Sequence, residues 1–223
     1  MAYYGAESAG SLVLKNPLSK GLDFKNEQVN SIYKLTDEAL FERIQLMPTV
    51  PLMHHAHKRM SLAGAQHKLA VVFKENIIYE PSGNTASTQI LKPNHPEDDY
   101  PHSVINEYFT MRLARELGLD VPNVYRRYTP APIYLIDRFD RKTNKEQVVR
   151  VHALDACQLL GLDKRFKYVV GSIEKLAELA SLCRNPGLTK TKLLKWMIFN
   201  ILVGNSDAHL KNLTGYVAHL VKL

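Results

Sequence analysis

Trp196-Met-Ile-Phe-Asn-Ile-Leu-Val-Gly204, running into Asn205-Ser-Asp-Ala-His-Leu-Lys-Asn212, is the stretch on which the reading of this chain turns. Counted back through Leu193 and Leu194, its first half is apolar on nearly every side, which predicts a buried helix. The second half is polar and reads as a loop delivered by that helix to a cleft or a surface. In it Asp207 is followed five positions later by Asn212. That is the spacing of a kinase catalytic loop, where the Asp takes or orients the proton of the attacking hydroxyl and the Asn holds magnesium on the phosphates. His209 is placed to orient the aspartate or to touch phosphate. An ordinary Asx turn is the competing reading.

The rest of the chain bounds what such a loop could serve. At 223 residues it is long enough for one domain or two small lobes, with the apolar and charged content of a globular protein. Its net charge of +7 is spread over clusters such as Arg126-Arg127, Lys164-Arg165 with Lys167, and Lys190 with Lys192 and Lys195. A dispersed excess suits a polyanion such as a nucleotide, or equally a set of solvated faces. Direct nucleic-acid binding is a third reading, though no run is dense enough to specify it. Cys157 and Cys183 stand in apolar, helix-like contexts without metal-ligand spacing, which predicts buried thiols in a reducing compartment. Neither a leader-like N-terminus nor a run of membrane-spanning length is present, so the expectation is a cytoplasmic protein with no membrane partner.

Working backwards from the loop, residues 190–203, 172–183 and 154–160 read as helices. Residues 121–127 and 133–136 read as strands joined by a proline-bearing turn. Ser103 is expected to cap a helix through Leu117, with Val104, Tyr108, Met111, Ala114 and Leu117 on its core face and Gly118 at its stop. Residues 68–73 and 77–79 predict a β-hairpin, and residues 87–92 a third strand ended by Pro93. Residues 35–47 predict a short helix capped by Thr36 or Asp37. Strands thus come first, one helix is inserted among them, and helices follow: a two-lobe α+β layout with a boundary near residues 137–150.

Three more stretches could carry chemistry. Lys92 ends a strand and is followed fifteen positions later by Glu107 on a helix. Kinases pair a strand lysine with a helix glutamate in this order, because a buried ammonium needs a fixed anionic partner. A surface lysine and a surface glutamate are the alternative. Ser61-Leu-Ala-Gly-Ala-Gln-His-Lys68 holds a small-residue turn that could bring backbone N–H groups to an anion, with Lys68 adding charge. It could equally be a simple tight turn. Ile136-Asp-Arg-Phe-Asp-Arg141 could be a hinge that meets an adenine, or an Asp–Arg cluster at a strand end. Spacing alone does not choose.

Taken together and in this order, Ser-Leu-Ala-Gly-Ala-Gln-His-Lys68, Gln-Ile-Leu-Lys-Pro93, Ile-Asp-Arg-Phe-Asp-Arg141 and Gly-Asn-Ser-Asp-Ala-His-Leu-Lys-Asn212 resemble the HipA family of serine/threonine kinases, toxins of HipBA-type toxin–antitoxin modules. Ser103–Tyr108 and Arg112–Pro122 resemble the family's inserted helix. The resemblance implies a two-lobed, protein-kinase-like fold of the HipA type. A β-rich N-terminal lobe (residues 1–140) would carry nucleotide-binding elements, and an incomplete helical C-terminal lobe (residues 141–223) the catalytic loop. It implies Asp207 as catalytic base and Asn212 as magnesium ligand. Ala63, Gly64, Ala65, Gln66, His67 and Lys68 would form the phosphate-cradling loop, and Lys92 would contact the nucleotide phosphates. Asp137, Arg138 and Phe139 would form the adenine hinge, while His209, Leu210, Lys211 and Asn212 would close over the phosphates. Ser61 matches the family's regulatory serine, whose autophosphorylation silences the kinase; a dianionic phosphate there would compete with ATP for the same amides.

ATP and Mg2+ are the implied cofactors. The implied partners are a protein substrate such as an aminoacyl-tRNA synthetase, a HipB-type antitoxin through which DNA is met only indirectly, and a small HipS-like subunit of the kind three-gene relatives supply. In two respects the chain departs from the pattern: full-length members carry a further N-terminal subdomain of several dozen residues before the region that starts here, and the second departure concerns the metal. The family needs a further metal-binding aspartate after the catalytic loop, and residues 208–223 contain no Asp or Glu. The expectation is therefore a kinase impaired by C-terminal truncation, with its apolar helix faces partly uncovered. The alternative is a catalytically inactive remnant that binds nucleotide or antitoxin.

Overall fold

The computed structural model describes residues 7–8, 31–47, 49–53, 60–61, 66–144, 147–163 and 172–219. In chain order the elements are β1 (Glu7–Ser8), β2 (Ile32–Lys34), α1 (Asp37–Gln45), β3 (Met60–Ser61), β4 (Leu69–Lys74), β5 (Ile77–Pro81) and β6 (Gln89–Pro93). Then come α2 (Ser103–Glu116), β7 (Val124–Tyr128), β8 (Pro132–Asp137), β9 (Arg141–Asn144), β10 (Gln147–Arg150) and β11 (Ala153–Asp155). The helices α3 (Ala156–Leu159), α4 (Ile173–Ser181) and α5 (Pro186–Leu202) follow, and β12 (Thr214–Tyr216) comes after them. The chain divides into two units, Met1–Leu113 with Val121–Arg150 and Ala114–Asp120 with Val151–Leu223. The β9–β10 hairpin stays with the first unit.

The first unit is built on an antiparallel sheet of order β2-β5-β4-β6-β8-β7. Strand alternation gives it two different faces. Leu69, Val71, Leu91, Ile133 and Leu135 point to one face and pack with Leu40 of α1. Val124 and Tyr134 point to the other and pack with Val104 of α2. Thr36 caps α1, its hydroxyl accepting from the Ala39 N–H at 3.2 Å. Arg43 on the same helix pairs with the buried Glu80 of β5, which ties α1 to the sheet. The expected hairpin forms around Glu75 and Asn76, both at positive φ, the conformation a two-residue type I′ turn demands.

The α2 helix corrects two expectations. Ser103 does not cap it: the Ser103 hydroxyl accepts from the His95 N–H at 2.8 Å, and Asn94 Oδ1 takes the Val104 N–H at 3.0 Å. Leu117 lies beyond the helix end, just before Gly118 at φ +75°, and is exposed.

The second unit packs Ala156 and Cys157 of α3, Leu179 and Ala180 of α4 and Leu193 of α5 around Leu210. Residues 154–160, expected to be helical, begin instead as β11, which pairs antiparallel with β12. Asp155 then opens α3 through a reciprocal capping box with Gln158. Burial above all, then the negative charge of Asp155, raises the Cys157 thiol pKa, so it is a packed, unreactive group. Cys183 is a free thiol that is only half-buried. The α5 helix is not buried all round. Leu193 and Phe199 are inside, while Leu194, Ile198, Ile201 and Leu202 face out.

Candidate functional site

The β6 strand decides where Lys92 points. Its neighbours Leu91 and Pro93 alternate with it, and its register partner is Tyr134. Lys92 therefore emerges on the face covered by α2, where its Nζ lies 2.7 Å from Glu107 Oε2 and 5.8 Å from the centre of the Tyr134 ring. Leu69 pairs with Leu91, so Lys68, one residue before β4, stands opposite Lys92 on that same face. The consequence is electrostatic. Burial, then repulsion from Lys92, lowers the Lys68 pKa, while Glu107 partly restores it. Burial, reinforced by Glu107, raises the Tyr134 hydroxyl far above its ordinary value, so it stays neutral. Both ammonium groups lie within electrostatic reach of Glu107, and a pair of lysines on one face suits phosphate oxygens.

The remaining residues of that stretch are placed differently. Gln66 and His67 are half-buried beside Lys68, and Ala63, Gly64 and Ala65 lie outside the described residues. Ser61 sits in β3, which pairs in parallel with β1 at Ser8.

Asp137 ends β8 on the opposite face of the sheet from the two lysines. Its carboxylate accepts from Gln89 Nε2 and from Asn123 Nδ2, both at 2.9 Å. Its own N–H donates to Asn123 O at 2.9 Å, and the Arg138 N–H to Thr88 O at 2.8 Å. Arg138 forms a fork with Asp140, at 2.9 Å through Nε and 2.7 Å through Nη2, and donates to Ser87 Oγ at 3.0 Å. Arg141 approaches the same carboxylate at 2.9 Å. The Asp–Arg cluster is thus where the side chains of Arg138, Asp140 and Arg141 go. Phe139 alone of this stretch projects to the exterior.

In the second unit α5 ends at Leu202, and Gly204 at φ +67° turns the chain out of it. Asn200, 8 % exposed on α5, donates through Nδ2 to Trp196 O at 2.8 Å. Its Oδ1 accepts from Asn205 Nδ2 at 2.6 Å, and its carbonyl from the Asn205 N–H at 2.9 Å. Asn205 Oδ1 in turn accepts the Asp207 N–H at 3.1 Å. Beyond the aspartate, Asn212 Nδ2 donates to Asp207 O at 2.8 Å. The Asp207 main chain is therefore held from both sides, while its side chain is 74 % exposed and 3.7 Å from His209 Nε2. Asn212 and Lys211 lie in a short 3-10 turn whose first residue, Leu210, is anchored in the core. Leu210 consequently offers main-chain groups only. A cavity of about 270 Å³, lined in part by Trp196, Asn200, Asn205 and His209, lies against the loop.

The structure therefore joins Lys68, Lys92 and Glu107 in one unit, and Asp207, His209 and Asn212 in the other. Gln89, Asn123, Asn200 and Asn205 were not read from the sequence as site residues. Asn200 had a signal, being the sole polar residue between Trp196 and Val203. For magnesium, the Asn212 side-chain oxygen accepts no hydrogen bond among the described residues, which suits an oxygen ligand. No group of three or more His, Cys, Asp or Glu residues gathers there as a ready-made ion site among the described residues. The donor set fits an ion that arrives with nucleotide phosphates rather than one held by protein alone.

A family model described as the HipA-like C-terminal domain matches residues 60–222. The serine/threonine-protein kinase toxin HipA of Shewanella oneidensis is 33% identical over 229 residues, covering 93% of this chain and 50% of that protein. A protein named as a putative kinase in Sinorhizobium fredii is 36% identical over 220 residues, covering 93% of this chain and 51% of that protein. The solved Shewanella oneidensis complex of HipA, HipB and operator DNA contains a chain that matches with a TM-score of 0.75 at 31% identity, covering 95% of this chain and 52% of that one. The chain spans about half the length of these relatives. With the mixed α/β fold and the family match in agreement, the chain belongs to the HipA-like C-terminal domain family, the family of the HipA kinase toxins.

Proposed function

We propose that this chain carries the catalytic elements of an ATP-dependent serine/threonine protein kinase, the toxin of a toxin–antitoxin pair. The observation that carries the reading is the Asp207 loop. The Asp207 main chain is fixed by hydrogen bonds with the Asn205 and Asn212 side-chain amides, which sets its exposed carboxylate next to His209. A carboxylate so held accepts the proton of a serine or threonine hydroxyl as its oxygen attacks the γ-phosphorus and ADP leaves. Lys92, steadied by Glu107, and Lys68 neutralise phosphate oxygens, and the Asn212 Oδ1 would hold magnesium. The ion would supply further charge neutralisation on the phosphates. The main chain around Asp137 and the exposed Phe139 ring would meet the adenine.

By analogy with the HipA–HipB–DNA complex, the partner is an antitoxin of HipB type that brings DNA indirectly, in a cytoplasmic setting. Among the described residues no helix is long and apolar enough to cross a membrane. An aminoacyl-tRNA synthetase as substrate, a HipS-like subunit and silencing through Ser61 complete the proposal.

Radiolabelled ATP with magnesium tests it. Label should appear on Ser61 or on an added synthetase, and Asp207→Asn should lower the rate by roughly 10²- to 10⁴-fold, the span of a lost general base. Transfer at the wild-type rate by Asp207→Asn overturns the assignment of the base. A second reading is a nucleotide- or antitoxin-binding module without transfer. ATP binding with no label on any protein supports that second reading.

A further inference from the structure

We infer that Asn200 and Asn205 are positioning residues for Asp207, acting as an amide relay that transmits the rigidity of α5 to the catalytic loop; the inference rests on the kinase reading above. Three observations carry it. Asn200 is a buried amide in an otherwise apolar segment, a placement that costs free energy unless all its polar atoms are used. They are used in one direction: Nδ2 is fixed to the helix at Trp196 O, and Oδ1 is turned toward the loop to receive Asn205 Nδ2 at 2.6 Å. Asn205 then passes the constraint on, because its remaining side-chain oxygen takes the Asp207 N–H. The path from helix to aspartate is a chain of single hydrogen bonds, each using a different atom of the two amides. Beyond it, Asn212 closes the other side by donating to Asp207 O.

Neither amide is needed to end the helix. Gly204 already turns the chain, and its N–H donates to Ile201 O at 3.2 Å. The Asn200 side chain instead fixes which way the loop leaves. The Asp207 carboxylate is largely exposed and 3.7 Å from His209 Nε2, so what ties it to α5 is the main chain. Proton transfer needs that carboxylate within hydrogen-bond reach of the attacking hydroxyl, and displacement by about 1 Å is enough to cost on the order of a hundredfold in rate. The relay acts on this step and not on nucleotide affinity, for which the lysines of the other unit supply the charge.

The test uses the full 223-residue chain with Asn205→Ala, Asn200→Ala and Asn205→Ser, together with the double alanine variant. Amide hydrogen exchange of Asp207 by NMR reads the geometry without any need for turnover. Asn205→Ala should speed exchange about fivefold, the worth of one hydrogen bond, and Asn205→Ser, which retains an acceptor for that N–H, should restore protection. In the phosphoryl-transfer assay Asn205→Ala and Asn200→Ala should each lower kcat by roughly 10- to 100-fold with KM for ATP unchanged. The double variant should be no worse than the worse single one, as members of one relay are non-additive.

A purely structural role would lower kcat only in proportion to the folded fraction, read by circular dichroism under assay conditions; that outcome overturns the inference, as does additivity. Should Asn200→Ala not fold, the Asn205 pair decides, with unchanged kcat in Asn205→Ala counting against the relay. If the wild-type chain transfers no phosphate, the kinase reading falls separately and exchange at Asp207 judges the relay. Protection lost in Asn205→Ala and regained in Asn205→Ser supports it, and protection unchanged in both removes it.

Discussion

Lys68 shows what a single charge does in this molecule. Its ammonium is partly withdrawn from water and faces Lys92, and Glu107 answers only part of the combined charge. A lysine whose folded pKa is lowered is a burden at neutral pH, because the unfolded chain protonates it more readily. That penalty is constant below the folded pKa and is relieved as pH rises from there toward the unfolded value. Lys68→Met is therefore expected to raise Tm near pH 7, with the advantage over wild type shrinking as the pH becomes alkaline. Thermal melts of both proteins across that range check the sign. The same variant should bind ATP about tenfold to a hundredfold more weakly, the worth of a charged hydrogen bond, as isothermal titration would show. Stability and affinity moving in opposite directions is the mark of a residue kept for a ligand. Parallel losses in both would mean that Lys68 is simply part of the fold.

Elements were legible in the sequence where one local signal met no competitor. Thr36 capped α1 as expected, and the β4–β5 hairpin formed where a polar turn separates two apolar runs. Ser103 failed as a cap because Asn94 and His95, from the preceding loop, compete for the same start of α2; contacts eight and ten residues away leave no local trace. Residues 154–160 misled for a related reason. Their apolar pattern is short, and the pairing of β11 with β12, some sixty residues later, overrides helix propensity for the first two.

The hairpin turn offers a clean measurement at this scale. Glu75 and Asn76 both take positive φ, which an asparagine adopts at lower cost than a glutamate. The Glu75 carboxylate offsets little of this, since its 3.6 Å contact with Lys74 is largely exposed. Glu75→Asn should therefore stabilise the chain by about 0.5–1 kcal/mol. Urea unfolding at equal m-value reads it directly. A loss of stability would show that the turn is not of the I′ class.

At the scale of the whole molecule, element order pointed to strands first and helices after, but not to which helix faces are covered. The nearly all-round apolar sequence of α5 predicted burial, whereas the structure uses one side and leaves Leu194, Ile198, Ile201 and Leu202 outward, with Ile201 71 % and Leu202 76 % exposed. These four fall at helical spacing on one stripe, a surface that favours self-association in water. Opposing this is the net charge of +7, which keeps copies apart while it is unscreened. The two effects respond differently to salt, because the Debye length shrinks from roughly 30 Å at 0.01 M to roughly 3 Å at 1 M while hydrophobic attraction persists. The chain is expected to be monomeric at low ionic strength and to associate as salt is raised, as light scattering after size exclusion would record. Replacing Ile201 and Leu202 together by lysine should abolish the salt-induced association. It should leave stability within about 0.5 kcal/mol per site, as surface substitutions do, and cations at a helix C-terminus oppose no dipole. If the double variant unfolds instead, Ile201 and Leu202 are packed in the folded protein and the stripe does not drive association.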